Sequence, residues 1–237
     1  MECKNLNKND LIMGFYRGPN AITSGLILSL DAGNTKSYQS GSTTWFDKSG
    51  NANNGTLTNG PTFSSANGGS IVFDGVDDYI QISTSPNLTN PLTICTFINT
   101  SVITGSNQVI YGPSANGNDN WLSISNNRAQ ILATQTSDVN NFQAAGTTVI
   151  QSNIWYHITG IVNNNVISIY VNGVFEVASA AQAFTVGGWN STARIGQRAT
   201  GQFPFNGRIA CVQGYNRALS AQEILQNYNA TKSRFNL

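Results

Sequence analysis

The feature that most constrains the fold is a series of about a dozen short strand-like runs separated by turn residues. The clearest neighbours are residues 154–162 and 166–171, which are rich in β-branched and aromatic side chains. Asn172-Gly173 and Asn54-Gly55 are tight-turn signals. Such spacing is typical of a sandwich or jelly roll and not of a βαβ fold. No break in composition interrupts residues 25–237, so we predict one all-β domain there.

The last strand-like run is followed by the signal for a helix start. Ser220 and Glu223 have the spacing of a capping box, in which each side chain bonds the backbone amide of the other residue. Leu219 and Ile224 flank this box at the spacing of a hydrophobic staple. We therefore predict one short C-terminal helix over about residues 220–229.

Charge and hydropathy exclude two classes of partner. Charged residues make up 10% of the chain and the formal net charge is +1, against about 25% charged residues in an average protein. Without a basic stripe, nucleic acid is not an expected partner. No apolar run reaches membrane-spanning length, so a membrane is not expected either. Asn, Ser, Thr and Gly carry the polar surface, a composition frequent in extracellular and virion β-proteins.

The first 24 residues form a segment of different character, rich in Asn and Lys. They hold no apolar stretch of the kind found in signal peptides, so we expect synthesis in a cytoplasm without a signal peptide. Two interpretations of residues 1–24 are open: a frayed terminus, or an N-terminal docking arm. As an arm, it would use Phe15, Tyr16 and Arg17, which are side chains that interfaces favour.

The three cysteines are Cys3, Cys95 and Cys211. An odd, widely spaced set is not a disulfide framework. Cys95 and Cys211 lie in strand-like runs, where a free cysteine behaves as a small buried apolar side chain. We predict buried thiols, with a Cys95–Cys211 bridge as the other interpretation.

Four blocks of sequence together resemble the laminin-G-like branch of the concanavalin A-like lectin/glucanase superfamily. They are Val72–Ile80; Trp155–Ile158 with Ile169–Val174; Ala193–Gly196; and Phe205–Ile209 continuing through Tyr215–Ile224. The resemblance covers about residues 25–230. It implies an all-β concanavalin A-like jelly-roll sandwich of two antiparallel sheets, one of them concave.

Three further stretches resemble such domains in structural proteins of tailed bacteriophages: Phe15–Asn20, Leu28–Tyr38 and Leu225–Phe235. There the domain decorates capsids or sits on fibres. The resemblance implies a non-enzymatic virion structural protein at the virion surface, attached by its N-terminal arm. Its partners would be other virion proteins, host surface glycans and, as in many decoration proteins, further copies of itself. The other interpretations are a carbohydrate-binding lectin-like module and a divergent glycoside hydrolase.

The residues do not favour catalysis. Glycoside hydrolysis needs two carboxyl groups that flank one bond. The glutamates are Glu2 in the arm, Glu176 beside a turn and Glu223 in the capping box. His157 is the only histidine and lies in a strand-like run, where a packed or surface role is more common than a base. We predict no catalytic residues and no cofactor.

Calcium is the one metal with candidate ligands, because it prefers carboxylate, amide and carbonyl oxygens. Asp74, Asp77 and Asp78 are the candidate ligands, and Asn118 and Asp119 could contribute. The other interpretation is that these residues serve turns and loops. Many relatives carry acidic residues in the last strand, where this chain has Ala210-Cys211. A calcium role is therefore not carried over at that position.

Tryptophans are the expected platform for a sugar ring. Trp155 lies in a strongly periodic run and is assigned to the core. Trp121 and Trp189 follow polar loops, so we predict that they are exposed and bind ligand together with Asn118 and Asp119. Burial in the core is the competing interpretation for both rings.

Overall fold

The protein is a sandwich of two antiparallel β-sheets followed by one α-helix, as the sequence predicted. The computed structural model describes residues 19–82, 86, 88–113, 120–134, 141–181, 189 and 192–237. The strands are numbered along the chain and are β1 (Leu26–Asp31), β2 (Thr44–Trp45), β3 (Gly55–Thr58), β4 (Thr62–Ser64), β5 (Ser70–Asp74), β6 (Tyr79–Ile82), β7 (Leu92–Thr100), β8 (Gln108–Pro113), β9 (Trp121–Ser125), β10 (Arg128–Thr134), β11 (Asn141–Ala145), β12 (Trp155–Asn163), β13 (Val166–Val171), β14 (Val174–Ala178), β15 (Ala193–Ile195) and β16 (Asn206–Tyr215).

The strands form two sheets, and chain neighbours often lie in different sheets. Sheet A has the order β14-β13-β12-β7-β16-β5-β4, with β1 also paired to β16. Sheet B has the order β11-β10-β9-β8-β15-β6-β3-β2. Strands β5 and β6 belong to opposite sheets, so the Asp74–Asp78 turn carries the chain from one layer to the other.

A single large core fills the space between the sheets. Alternate residues of the paired strands point inward, as the period of two requires. On β12 the inward side chains include Tyr156, Ile158 and Val162, and on β7 they include Leu92 and Ile94. This buried apolar surface is the main source of stability for a sandwich of this kind.

Asparagines with a positive φ angle close several of the turns. Asn126 and Asn127 have φ values of 47° and 63° and join β9 to β10. Asn172 and Gly173 have φ values of 51° and 79° and join β13 to β14. Asparagine and glycine tolerate this left-handed region, which tight hairpins require. The tight turn predicted at Asn172-Gly173 is confirmed.

The Asn54-Gly55 turn prediction is wrong. Gly55 begins β3, and a Cβ atom there would lie 2.5 Å from Cγ2 of Ile80 on the neighbouring strand. Its small size therefore permits close packing against Ile80, and a turn conformation plays no part.

Helix α1 (Ala221–Thr231) and the following 3₁₀ helix (Lys232–Phe235) cover the outer side of sheet A. The capping box is confirmed: Ser220 Oγ accepts from the Glu223 amide at 3.3 Å, and Glu223 accepts from the Ser220 amide at 2.9 Å. Leu219 and Ile224 are both buried on this side. Within the described residues, no helix is long and apolar enough to cross a membrane.

The central strands of sheet A are buried on both faces because α1 covers them. On β7, Cys95 and Phe97 point toward the helix and away from the sandwich core. Cys95 and Cys211 are free and buried, so the predicted thiols are confirmed and a bridge between them is excluded. Burial raises the pKa of Cys95 to about 11 and that of Cys211 to about 12.

Candidate functional site

An open cleft lies at the edge of the sandwich, where β3 of sheet B approaches β4 of sheet A. We call it the edge cleft. Its volume is about 430 Å³. It is lined by Tyr38, Ser40, Gly41, Ser42, Thr43, Leu57, Gly60, Pro61, Thr62 and Phe63. None of these side chains carries a charge, and five of them carry a hydroxyl group: Tyr38, Ser40, Ser42, Thr43 and Thr62.

Two aromatic rings form one wall of the edge cleft. The Tyr38 and Phe63 ring centroids are 5.3 Å apart and the rings are tilted by 34°. Tyr38 is buried, and its hydroxyl donates to the carbonyl of Ser42 at 2.8 Å, which fixes the ring. Phe63 is half-buried, so part of its ring faces solvent. The cleft thus combines an apolar wall with hydroxyl groups and loop backbone.

A second candidate surface is the outer face of sheet B. The register places Arg194 opposite Gln81, Gln81 opposite Thr56, and Thr56 opposite Thr44. Arg194 points outward because its neighbours Ala193 and Ile195 are both in the core. The row across these four strands therefore presents one cation and three neutral polar side chains.

The predicted exposure of the two tryptophans is wrong. Trp121 is 4% exposed and packs against Phe203 at 5.8 Å, with the Arg198 guanidinium 5.3 Å from its ring centroid. Trp189 is 2% exposed and lies parallel to Tyr111 at 6.5 Å. Both rings gain more by covering apolar neighbours than they would by facing water. Asn118 and Asp119, predicted beside them, lie outside the described residues.

The three aspartates predicted as metal ligands come together in the turn between β5 and β6. One carboxylate oxygen from each of Asp74, Asp77 and Asp78 lies within 4.8 Å of the others. The turn uses some of these oxygens: Asp78 accepts from the Asp74 amide at 2.9 Å, and Asp74 accepts from the Val76 amide at 2.8 Å. Burial of the carboxyl group is the main cause that raises the pKa of Asp78, and repulsion from Asp74 and Asp77 adds to it. Carboxylate oxygens are ligands that calcium prefers, so a calcium site at this turn stays a prediction.

Calcium at this turn has a direct thermal test. A bound ion would make the melting temperature in millimolar calcium higher than that in a chelator. The free energy of unfolding would rise by about 2.7 kcal/mol when calcium is 100-fold above its Kd. Asp77→Asn is the matched variant, because Asp77 is exposed and its carboxylate makes no hydrogen bond within the turn. The variant should abolish the shift without lowering the melting temperature in chelator, because it only removes a charge that repels Asp78. Equal melting temperatures of the unmodified protein in calcium and in chelator would contradict a calcium site.

A second cleft of about 360 Å³ lies on the other side of this turn. It is lined by Gly75, Val102, Thr104, Ser106, Asn107, Gln108, Phe203, Pro204 and Asn206. The Asn206 side chain donates to the carbonyl of Asp74 at 2.9 Å and so connects this cleft to the turn. Asn59, beside the edge cleft, donates to the carbonyl of Asp77 at 3.2 Å. The acidic turn therefore lies between the two clefts.

His157 is packed on the helix side of sheet A, which confirms a packed role. Its side chain is 1% exposed, and its ring lies 4.6 Å from Phe97 and 5.8 Å from Tyr228. Burial lowers the pKa of His157 to about 3. The imidazole is therefore neutral at physiological pH and has no route to a substrate.

The N-terminal segment joins the domain beside α1. Phe15, Tyr16 and Arg17 lie outside the described residues. Residues 20–24, which follow them, are held to the end of the chain. The Ile22 amide donates to Asn227 at 2.8 Å, and Gln226 donates to the carbonyl of Asn20 at 2.7 Å. The segment thus enters the domain on the helix side of sheet A.

Residues of the edge cleft were not predicted from sequence. Tyr38 and Phe63 come from two separate loop-flanked stretches, and neither stretch has a recognisable binding motif. The available signal was the high density of small and hydroxyl residues in 40–44 and 58–62, which is unusual for strands with a core to fill. Such a pattern is typical of turns, and a cleft between turns cannot be read from local sequence alone.

Comparison with known proteins identifies the family. A sequence profile described as the concanavalin A-like lectin/glucanases superfamily, of the laminin G type, matches residues 74–225, more than half of the chain. The chain belongs to this superfamily. No curated protein matches it in sequence.

Several solved structures share the lectin-like fold. The binding domain of Paraclostridial Mosquitocidal Protein 1 superposes with a TM-score of 0.69 at 18% identity, over 87% of this chain and 52% of that one. Domain 4 of AbnA, an extracellular GH43 arabinanase from Geobacillus stearothermophilus solved with arabinotriose, superposes with a TM-score of 0.68 at 17% identity, over 86% of this chain and 98% of that one. Trypanosoma rangeli sialidase with sialic acid superposes with a TM-score of 0.64 at 16% identity, over 89% of this chain and 33% of that one.

These likenesses establish the fold of this superfamily member. The chain spans about half the length of the mosquitocidal binding domain and a third of the sialidase, but nearly all of the AbnA domain. The laminin-G-like resemblance predicted from sequence is confirmed, as is the jelly-roll sandwich. Residues 25–73 lie outside the family match. They supply β1–β4 and all of the residues lining the edge cleft.

Proposed function

We propose that this domain is a non-catalytic glycan-binding module and that the edge cleft is its binding site. The observation that carries the proposal is the chemistry of the cleft. An aromatic wall, in which the Phe63 ring is partly exposed, is joined to hydroxyl groups, and none of the residues lining the cleft carries a charge. Sugars need an apolar surface for their C–H faces and hydrogen-bonding groups for their hydroxyls. A volume of about 430 Å³ lies within the range of small-ligand sites.

The same chemistry supports binding without turnover. Glycoside hydrolysis needs an acid and a second carboxyl group on opposite sides of the scissile bond. The residues that line the edge cleft include no carboxyl group and no histidine. Neutral polysaccharides incubated with the protein should therefore yield no new reducing ends, and release of reducing sugar would contradict a non-catalytic role.

A substitution that fills the cleft tests the site. Thr62 is exposed on the edge strand β4 and lines the cleft. Thr62→Trp is expected to weaken binding to soluble arabinan, galactan or dextran roughly tenfold, because the new ring occupies the sugar's place beside Phe63. Affinity gel electrophoresis measures the effect.

Thr104→Trp is the matched control, because Thr104 is exposed and lines the second cleft. This variant should bind as the unmodified protein does. Equal binding by all three proteins would place the glycan site elsewhere, and absence of binding to a broad glycan panel would contradict the proposed function.

We further propose that the domain is a component of a phage virion, with its N-terminal arm as the attachment point. Support comes from the resemblance of Phe15–Asn20, Leu28–Tyr38 and Leu225–Phe235 to phage structural proteins. Residues 20–24 bond to α1 on the helix side of sheet A, so a body attached through residues 1–18 would leave the outer face of sheet B, on the opposite side, exposed. Other virion proteins and further copies of this chain are the expected partners.

Deletion of residues 1–18 tests the attachment of the domain independently of its folding. The truncated protein keeps the bonds of residues 20–24, so its melting temperature should be unchanged. It should be absent from purified particles when examined by mass spectrometry. The triple substitution of Phe15, Tyr16 and Arg17 by alanine should give the same loss. Incorporation of the truncated protein at the normal level would overturn the role of the arm.

A further inference from the structure

Arg194 occupies a fixed position in the outer face of sheet B. Its guanidinium carbon lies 3.9 Å from the centroid of the Tyr79 ring. Its Nε donates to Oε1 of Gln81 at 3.3 Å, and its Nη1 donates to Oε1 of Gln197 at 3.1 Å. Stacking on an aromatic face and two directed hydrogen bonds hold the planar group in one orientation.

The two glutamines are themselves oriented by backbone carbonyls. Nε2 of Gln81 donates to the carbonyls of Ile82 and Ala193, both at 3.1 Å. Nε2 of Gln197 donates to the carbonyl of Gly201 at 3.3 Å. Because only the amide nitrogens can donate to carbonyls, both amide oxygens must face Arg194. The arrangement is therefore preorganised around the guanidinium.

No carboxylate among the described residues neutralises this cation. The ion pairs formed there join Arg217 to Glu223 and Arg234 to Asp31. Arg194 is half-buried, and its contacts use Nε and one N–H of Nη1. The Nη2 atom donates to no protein group in the described part of the chain. A rigid, partly desolvated guanidinium with free N–H donors is suited to bind an anion.

We propose that Arg194, backed by Tyr79, Gln81 and Gln197, binds the carboxylate of an acidic sugar residue. The inference rests on the proposed glycan-binding function and adds the class of glycan. A carboxylate matches the single charge and the planar fork of one guanidinium. Thr56 is exposed and stands opposite Gln81 in the register, so its hydroxyl lies where the rest of a sugar ring would be.

Paired polysaccharides test the proposal. Polygalacturonate and its carboxyl-reduced form differ in the carboxylate but share the sugar backbone, and isothermal titration calorimetry gives both affinities. The unmodified protein should bind polygalacturonate roughly 10- to 100-fold more tightly, the range of a charge-assisted hydrogen bond. Arg194→Gln should remove that preference and leave affinity for the reduced polymer unchanged. Arg194→Lys should restore only part of it, because an ammonium lacks the planar fork.

Arg208→Gln is the matched control, since Arg208 is a half-buried arginine on β16 of sheet A. It should retain the preference for polygalacturonate. Equal affinity for the two polymers, or an undiminished preference in Arg194→Gln, would overturn the proposal. Equally tight binding of poly-glutamate would also overturn it, since the site would then recognise acidic chains in general. If Thr62→Trp weakens binding to neutral glycans but the two polymers bind the unmodified protein equally, the proposed glycan-binding function is supported and the carboxylate site at Arg194 is contradicted.

Discussion

Replacing Phe235 by alanine is expected to lower the free energy of unfolding by about 3–5 kcal/mol, the usual cost of removing a buried phenylalanine ring. Phe235 is 4% exposed although it lies near the end of the chain. Its ring stacks on Phe97 with centroids 4.7 Å apart and contacts Trp155 at 4.4 Å. Loss of the ring opens a cavity between the 3₁₀ helix and sheet A. Urea denaturation at neutral pH measures the change.

Phe46→Ala is the control for this experiment, because it makes the same chemical change at a ring that is 44% exposed. It should cost much less than Phe235→Ala. Near-equal effects of the two substitutions would mean that the C-terminal segment contributes little to the packing of sheet A. A local transition that precedes global unfolding in Phe235→Ala would show instead that this segment separates from the sandwich on its own.

Substitution of Gly196 by alanine should be similarly damaging, with a loss of about 3–5 kcal/mol from backbone strain and overpacking together. Gly196 has a φ angle of +89°, in the region that residues with a Cβ atom avoid. A Cβ atom at this position would lie 2.3 Å from Cε1 of Phe73. Phe73 is 1% exposed and cannot move without displacing the core.

Gly201→Ala separates the two causes. Gly201 has a φ angle of +83°, but a Cβ atom there would meet nothing within 4 Å. Its substitution should therefore cost only the backbone strain, about 1–2 kcal/mol. The difference between the two variants measures the clash with Phe73, and thermal or urea unfolding of both gives it directly. Equal losses would show that Phe73 can yield at little cost.

The fold was predictable because its signals are local. The capping box at Ser220 and Glu223 and the turns at Asn126-Asn127 and Asn172-Gly173 depend on residues a few positions apart. The roles of Gly55 and Gly196 depend on Ile80 and Phe73, which reach them only through tertiary packing. No pattern within the sequence neighbourhood of either glycine distinguishes close packing from a turn.

The candidate sites were harder to predict for the same reason. Trp121 and Trp189 follow polar stretches, and their burial is decided by Phe203 and Tyr111, which lie far away in sequence. Arg194 did carry a signal, since a charged residue between Ala193 and Ile195 must point away from the core. Its partners come from β6 and from the loop after β15, so the cluster becomes visible only when the sheet is assembled.

The helix layer over sheet A places the points of attachment on one side of the domain. Because α1 and the 3₁₀ helix occupy that face, and residues 20–24 are bonded to α1, both described ends of the chain lie on the same flank. A solid support coupled at the C-terminal end, or at residue 19 after removal of residues 1–18, would lie on the flank opposite the outer face of sheet B and leave the Arg194 face unobstructed. Either attachment should therefore keep that face accessible, which suits the protein to use as a capture probe.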